Sequence, residues 1–188
     1  GIKLAIVVLA IASLLFSHKT NERLEKAEWG FTRGRGNQKR GKPANALTEI
    51  NKALEINPND FQNHFIQALC YNSLSNMRSG SARQQTINDA ISGIERSLSL
   101  YPNLLNAWVN LALFARKAGN DGKMMSAVET ALALKPDETY VLDIKADFLA
   151  KKSVEKLEYA MLLEQTRRDI RDTKRWLDLL RRPWLYLR

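Results

Sequence analysis

The sequence predicts an all-α chain: an α–α superhelix of about three helical repeats with C-terminal capping helices, preceded by an N-terminal transmembrane helix. Three observations carry that prediction. Residues 105–138, read at helical spacing, place Trp108, Leu111, Ala112 and Ala115 on one face. The pattern breaks at Gly119-Asn120-Asp121-Gly122 and resumes with Ala127, Val128, Ala131, Leu132 and Leu134 before Pro136, which makes a helix, a turn and a helix. Two helices this thin bury their apolar faces only against neighbours of the same kind, so they belong to a stack. Second, residues 44–60, ANALTEINKALEINPND, repeat the second half of that pattern with their own proline stop at Pro58. Third, residues 2–16, IKLAIVVLAIASLLF, are the longest apolar run in the chain and carry one charge, Lys3.

The elements follow in order. Fifteen helical residues reach roughly 22 Å against a hydrocarbon core of roughly 30 Å, so residues 2–16 cross a bilayer only with Lys3 snorkelling or the bilayer thinning. The competing readings are a secretory signal peptide, with Ala10-Ile11-Ala12 as its small-residue site, and an apolar helix capping the repeats. Gly1 is the residue that initiator removal would leave, and Ala5 stands where myristoylation needs Ser or Thr, so no lipid is expected. Residues 17–26 are polar and helix-favouring, and carry the helix out of the bilayer. Residues 27–60 form the first repeat, with Ala46, Leu47, Ile50, Ala53, Leu54 and Ile56 as the buried stripe of its second helix. Its first helix contains Gly30, Gly34 and Gly36, each costing about 1 kcal/mol against alanine. That helix is expected to be irregular or held by contacts.

Residues 61–104 form a second repeat, with Phe65, Ala68, Leu69 and Tyr71 on its first helix and Ala90, Ile91, Ile94, Leu98 and Leu100 on its second. It is longer than the first by about ten residues, which fall within residues 73–86 and are expected as a surface loop. After the third repeat, TYVLDIKADFLAKK has the spacing of one more first helix, with Leu142, Ala146 and Leu149 inward. From Ser153 to Arg182 one or two further helices carry Leu163, Thr166, Ile170, Thr173, Leu177 and Leu180 on one stripe. That stripe reads as a C-terminal cap on the repeats or a weak coiled-coil seam. The domains are therefore an anchor at 1–17, a repeat domain at 18–151, and a basic, aromatic-containing helix and tail at 152–188.

With these residues in view, the chain resembles the tetratricopeptide repeat (TPR) family, and specifically membrane-anchored bacterial TPR proteins, over about residues 27–151. The resemblance puts Gly34 and Gly41 at the family's small-residue positions. It implies an inner groove lined by the first helices, and carrying the groove positions over gives Phe31 and Arg35, then Phe65, Leu69 and Asn72, then Val109, Leu113, Arg116 and Lys117, then Tyr140. That mixture suits an amphipathic helix or an extended peptide with acidic residues. Phe65, Leu69, Val109 and Leu113 read equally well as packing residues. The chaperone-binding subgroup's carboxylate clamp is missing, since Phe31 and Arg35 stand where its first Lys and Asn would be.

The net charge of +9 is uneven. Residues 17–43 hold eight Lys/Arg against three Glu, and residues 164–188 hold eight against four acids, while residues 44–163 are nearly neutral. The tail mixes cations, including Arg175, Arg181 and Arg182, with Trp176, Trp184 and Tyr186. With Lys3 these form the expected contacts to anionic lipid headgroups. Basic residues after the apolar run favour a cytoplasmic repeat domain. A pI near 9.8 also raises nucleic acid, but the basic stretch at 33–42 comes with no recognisable nucleic-acid-binding motif, which disfavours it.

Enzymatic chemistry finds no constellation. Residues 36–43 approach a phosphate loop, but Pro43 replaces the magnesium-holding hydroxyl and no strand precedes it. His18 and His64 lack zinc spacing, and Cys70, the single cysteine, reads as a core residue. No cofactor, metal or small-molecule substrate is expected, and the chain is not expected to be an enzyme. The reading is a single-pass protein of the bacterial inner membrane: a protein–protein interaction scaffold serving as accessory or assembly subunit of a membrane complex, with integral membrane subunits as partners. Respiratory, photosynthetic, secretion and envelope-biogenesis complexes all fit. The alternative is the repeat-bearing C-terminal tail of a polytopic membrane enzyme such as an O-antigen ligase or polymerase; a recruiter of soluble partners is a third possibility.

Overall fold

The computed structural model describes residues 2–180; side chains at positions 2–8, 10 and several positions from 159 onward lie outside that description. Seven helices and no strand are present among the described residues, and the chain divides after Val141 into two compact units. The first unit is built from three antiparallel hairpins. They are α1 (Ile2–Lys39) with α2 (Pro43–Ile56), α3 (Phe61–Ser75) with α4 (Gly80–Leu100), and α5 (Leu105–Lys117) with α6 (Asp121–Leu134). A seventh helix, α7 (Thr139–Leu180), follows.

Local chemistry sets the ends of these helices. Gly41 (φ 69°) and Gly119 (φ 75°) take the left-handed conformation that closes α1 and α5. Beyond each, an amide reaches back to a carbonyl of the last turn: Lys42 N donates to Asn37 O at 2.9 Å, and Asn120 N to Ala115 O at 2.9 Å. Pro43, with φ preset for the first helical turn, opens α2. Asp60 opens α3 by accepting from Gln62 N at 2.8 Å and Asn63 N at 3.2 Å, and Asn120 opens α6 by accepting from Lys123 N at 2.9 Å.

The core follows the repeat register. Ala46, Ala90 and Met124 hold one position of the three second helices, Ile50, Ile94 and Val128 the next, and Ala53, Ser97 and Ala131 a third; all nine are at most 1% exposed. Ser97, the polar member, is satisfied by donating to Phe61 O at 2.9 Å. On the first helices, the position of Asn63 (1% exposed) and Ala107 (0%) is occupied in α1 by Trp29, which is 61% exposed. The Arg33 guanidinium lies 4.5 Å above the Trp29 ring.

One expectation is resolved and four need correction. First, α1 is one continuous helix through Gly30, Gly34 and Gly36. The glycines lie against α2: a Cβ at Gly34 would sit 2.6 Å from Ile50 Cδ1, and one at Gly30 would sit 3.2 Å from Ala53 Cβ. Tertiary contact outweighs propensity there, as one branch of the expectation held. Second, the longer second repeat does not form a loop. Its extra residues extend α4 to 21 residues, against 14 in α2 and α6, leaving only residues 76–79 as the turn. Gln84–Asn88 and Gln85–Asp89 side-chain bonds line the added turns, and the buried Thr86 hydroxyl accepts from Arg78 Nη1 at 2.6 Å. Third, α7 buries Val141 and Ile144, whereas Leu142 (43% exposed) and Leu149 (50%) and Ala146 face solvent. The phase expected for that helix was one step off, because its apolar residues permit two faces. Fourth, α7 runs unbroken from Thr139 to Leu180, so no helix boundary falls at 152 or 153. In the third repeat, Leu134 is 40% exposed rather than inward, lying in the last helical turn before Pro136. Of the stripe from Leu163 to Leu180, Thr173 is exposed and the other side chains lie outside the described residues.

Among the described residues no helix is long and apolar enough to cross a membrane. Much of the apolar run, at positions 2–8 and 10, falls outside the described side chains. Its described members Leu9 (70%), Leu14 (70%) and Phe16 (76%) are exposed on α1.

Cys70 is fully buried, and burial pushes its thiol from 9.0 up to about 11. The unfolded thiol ionises first as pH rises, so the unfolded state binds fewer protons between about 9 and 11 and stability falls across that window. Urea midpoints measured from pH 8 to 11 should show a steeper decline for the wild type than for Cys70→Ala. Parallel declines would contradict the burial. The glycines give a second test. Gly34→Ala should lose about 1–3 kcal/mol by overpacking against Ile50, whereas Gly36→Ala, which would meet only the far end of the exposed Arg40 side chain, should gain about 0.5–1 kcal/mol. Chemical denaturation of the two variants reads opposite signs.

Candidate functional site

Residues three and four apart share a helix face, so each first helix presents one column of side chains. On α1 the column is Phe31 and Arg35, on α3 it is Phe65, Leu69 and Asn72, and on α5 it is Val109, Leu113 and Lys117, with Arg116 beside the last. Phe31, Phe65 and Leu69 come together: all three are half-buried against the cluster of Ala46, Ile50, Ile66 and Cys70. They floor the surface and pack the core at once. Val109 and Leu113 are likewise half-buried, and Arg35 and Arg116 are exposed. Tyr140 is 52% exposed at the start of α7, and no described hydrogen bond or ring contact joins it to the rest.

Lys117 and Asn72 are brought into direct contact, in a role different from the one expected. The Lys117 ammonium donates to Asn72 Oδ1 at 2.9 Å, to Ser75 Oγ at 2.8 Å and to Asn76 Oδ1. All three of its protons are used. The acceptors sit at the C-terminal end of α3, where the helix dipole favours a cation. Burial, with the Arg83 guanidinium as a smaller cause, pushes Lys117 below the usual lysine range. Lys117 is therefore a clasp between the second and third repeats, and of the expected groove cations Arg35 and Arg116 are exposed and in none of the described ion pairs.

Two surface grooves were not legible beforehand. The wider, about 640 Å³, lies between α4 and α6 over a floor of Trp108 and Leu111, with Leu98 on its wall and the Lys123–Glu95 ion pair across it. Trp108 is held in place by donating from Nε1 to Pro102 O at 2.7 Å. The other, about 300 Å³, lies one repeat earlier between α3 and α4 and is lined by His64, Gln67, Tyr71, Asp89 and Arg96. His64 donates to Pro58 O at 2.9 Å, and burial with the Asp89 carboxylate pushes the Tyr71 hydroxyl up. Aligning the repeats on their prolines would have exposed this pairing. No group of residues able to hold a metal ion occurs among the described residues.

Of the expected lipid contacts, Arg175 is exposed. Lys3 and Trp176 have side chains outside the described residues, and Arg181, Arg182, Trp184 and Tyr186 lie outside them altogether.

With this geometry in hand, comparison with known proteins gives the fold. No family model matches the chain, and no curated protein matches it. Solved structures do. The chain is similar to YrrB, a TPR protein with an unusual peptide-binding site, at 22% identity and TM-score 0.54, over 64% of this chain and 57% of YrrB. It is similar to MamA at 16% identity and TM-score 0.57, over 84% of this chain and 86% of MamA. Human IFIT1, solved as a dimer with m7Gppp-AAAA, matches at 24% identity and TM-score 0.58, over 63% of this chain but 27% of IFIT1. The fold is TPR-like. The chain thus spans little more than half of YrrB and about a quarter of IFIT1.

Replacing Lys117 by Met keeps the aliphatic stem and removes the clasp. Its loss should cost about 1–3 kcal/mol, because three oxygens lose a charged donor, while Arg116→Met should stay within about 0.5 kcal/mol. Equal urea midpoints for the two variants would refute the clasp.

Proposed function

We propose that the chain is a membrane-anchored protein–protein interaction scaffold: the apolar start of α1 is held in a bilayer and the first-helix faces of the repeats hold a segment of a membrane-complex subunit. The observation that carries this reading is the continuity of α1. One helix runs from Ile2 to Lys39, exposing Leu9, Leu14, Leu15 and Phe16 at one end and flooring the repeat surface with Phe31 at the other. Exposed aliphatic and aromatic side chains in such a run are stable in lipid or against another apolar surface. Arg23 and Lys26, which follow within three turns, sit where headgroup-facing cations belong. The protein-binding half is supported by the likeness to YrrB, whose structure is described by its peptide-binding site. It is also supported by half-buried Val109 and Leu113 with exposed Arg116 on the same helix, a combination that accepts an amphipathic segment. The basic aromatic tail adds a second contact with anionic headgroups. The domain faces the cytoplasm of a bacterial cell, and its role is assembly or accessory work without catalysis of its own.

Two measurements separate the halves. Flotation of the full chain with phosphatidylcholine vesicles should carry it to the lipid fraction. The triple variant Ile11→Ser, Leu14→Ser, Leu15→Ser should remain at the bottom of the gradient, and co-flotation of that variant would remove the anchor. Affinity purification in mild detergent followed by mass spectrometry should recover integral membrane proteins with the wild type and several-fold less with Val109→Ser, Leu113→Ser. Recovery of soluble proteins alone would replace the membrane-complex partner with a soluble one.

A further inference from the structure

The near-neutral middle of the chain conceals a separation of charge. In a stack of antiparallel hairpins the turns inside the hairpins all lie along one edge, and the connections between hairpins lie along the other. The residues at the first edge, 36–46, 72–83 and 114–123, contain eight Lys/Arg against Asp121 alone. Those at the second, 54–64, 98–108 and 132–141, contain four acids against Lys135. The direct bonds from Lys117 to Asn72, Ser75 and Asn76 show the edge of the second and third hairpins to be continuous. Lys39, Lys42, Arg78, Arg83 and Arg116 are exposed, and none of the described ion pairs engages them.

We infer that this edge is a cationic rim that docks a run of carboxylates from a protein partner. The Arg83 guanidinium adds to burial in holding Lys117 below the usual lysine range, so positive charge accumulates along this edge, and an incoming carboxylate would offset it. Arg78, Arg83 and Arg116 supply guanidinium forks that match carboxylates, and Asn76 and Asn120 stand beside them. The occupant is a protein rather than a polynucleotide for two reasons on this surface. The rim has no exposed aromatic on which bases could stack, its one large exposed apolar side chain being Met77 at 70%. It also adjoins the apolar columns ending in Leu69 and Leu113, which a peptide can fill with side chains and a phosphate backbone cannot. Lipid headgroups of the anchoring bilayer are not the anion either. Phe16 and Lys39 are 23 residues apart on the continuous α1, roughly 35 Å at helical rise, so the rim stands well clear of that bilayer.

The inference takes the partner's class from the scaffold reading, but its test is independent of the groove. Fluorescence anisotropy with the full chain in detergent micelles and a fluorescein-labelled octaglutamate peptide reads the rim alone. The variant Lys39→Gln, Lys42→Gln, Arg83→Gln, Arg116→Gln should weaken the peptide about tenfold or more at low salt and flatten its salt dependence. A variant of equal charge, Lys19→Gln, Arg23→Gln, Lys52→Gln, Lys151→Gln, should stay within about twofold. Val109→Ser, Leu113→Ser should leave octaglutamate unchanged, so a failed groove and a failed rim are distinguishable. The variant Lys39→Gln, Lys42→Gln, which keeps Arg83 and Arg116, should retain most of the affinity. The inference falls if the two charge variants weaken binding equally, if the rim variant changes nothing, or if an oligothymidylate binds more tightly than the peptide and is lost with the same four substitutions. The last outcome would make a polynucleotide the occupant.

Discussion

Each hairpin of the repeat unit depends on the close approach of a first helix to its second helix at a position where one side supplies no side chain or only a methyl. In the first hairpin Gly34 lies against Ile50 and the Ala46 carbonyl; in the second the roles reverse, and Gly93 lies against Ala68. The helices are apolar on one face only and are stabilised by burying that face against a partner. Bringing their backbones together lets Ile50, Ile94 and Val128 fill the space between them with no exposed surface. Everything else in the repeat, the turns and the edges, is free to carry charge and binding chemistry.

This division explains what could be read from the residues. Second helices were legible because Ala46, Ile50 and Ala53 recur as Ala90, Ile94 and Ser97 and then as Met124, Val128 and Ala131, with a proline closing each set. The first helix of the first repeat was less legible, because three glycines argue against helix locally and only the contact with α2 reverses that. The longer second repeat was misread because Ser, Gly and Arg composition suggests a loop. Gly80 instead turns the chain into α4, and Thr86 buries its hydroxyl against Arg78. The phase of α7 was misread because Val141, Leu142, Ile144 and Leu149 permit two apolar faces.

The candidate surface was legible as a set of columns and not as a set of roles. Phe31, Phe65 and Leu69 serve packing and floor together, and Lys117 was expected to meet a ligand but is spent on Asn72, Ser75 and Asn76. Charge was read by chain segment, which sums the two edges of the stack and cancels them. Only the alternation of helix direction shows that Lys42, Arg83 and Arg116 share an edge while Glu55, Asp60 and Glu138 share the opposite one. The structure that results has an apolar helix at one end, a half-apolar surface along the first helices, and a cationic rim at the far end of α1. A protein segment with leucine-like and acidic side chains matches the last two together.

The most direct test is site-specific photo-crosslinking in native membranes, with a benzophenone amino acid placed at position 113 on the surface, at position 81 by the rim, and at position 126 in the outer groove. Crosslinks from 113 and 81 to the same membrane protein, with none from 126, are the predicted result. Crosslinks from 126 alone would place the partner in the groove between α4 and α6 and contradict the account.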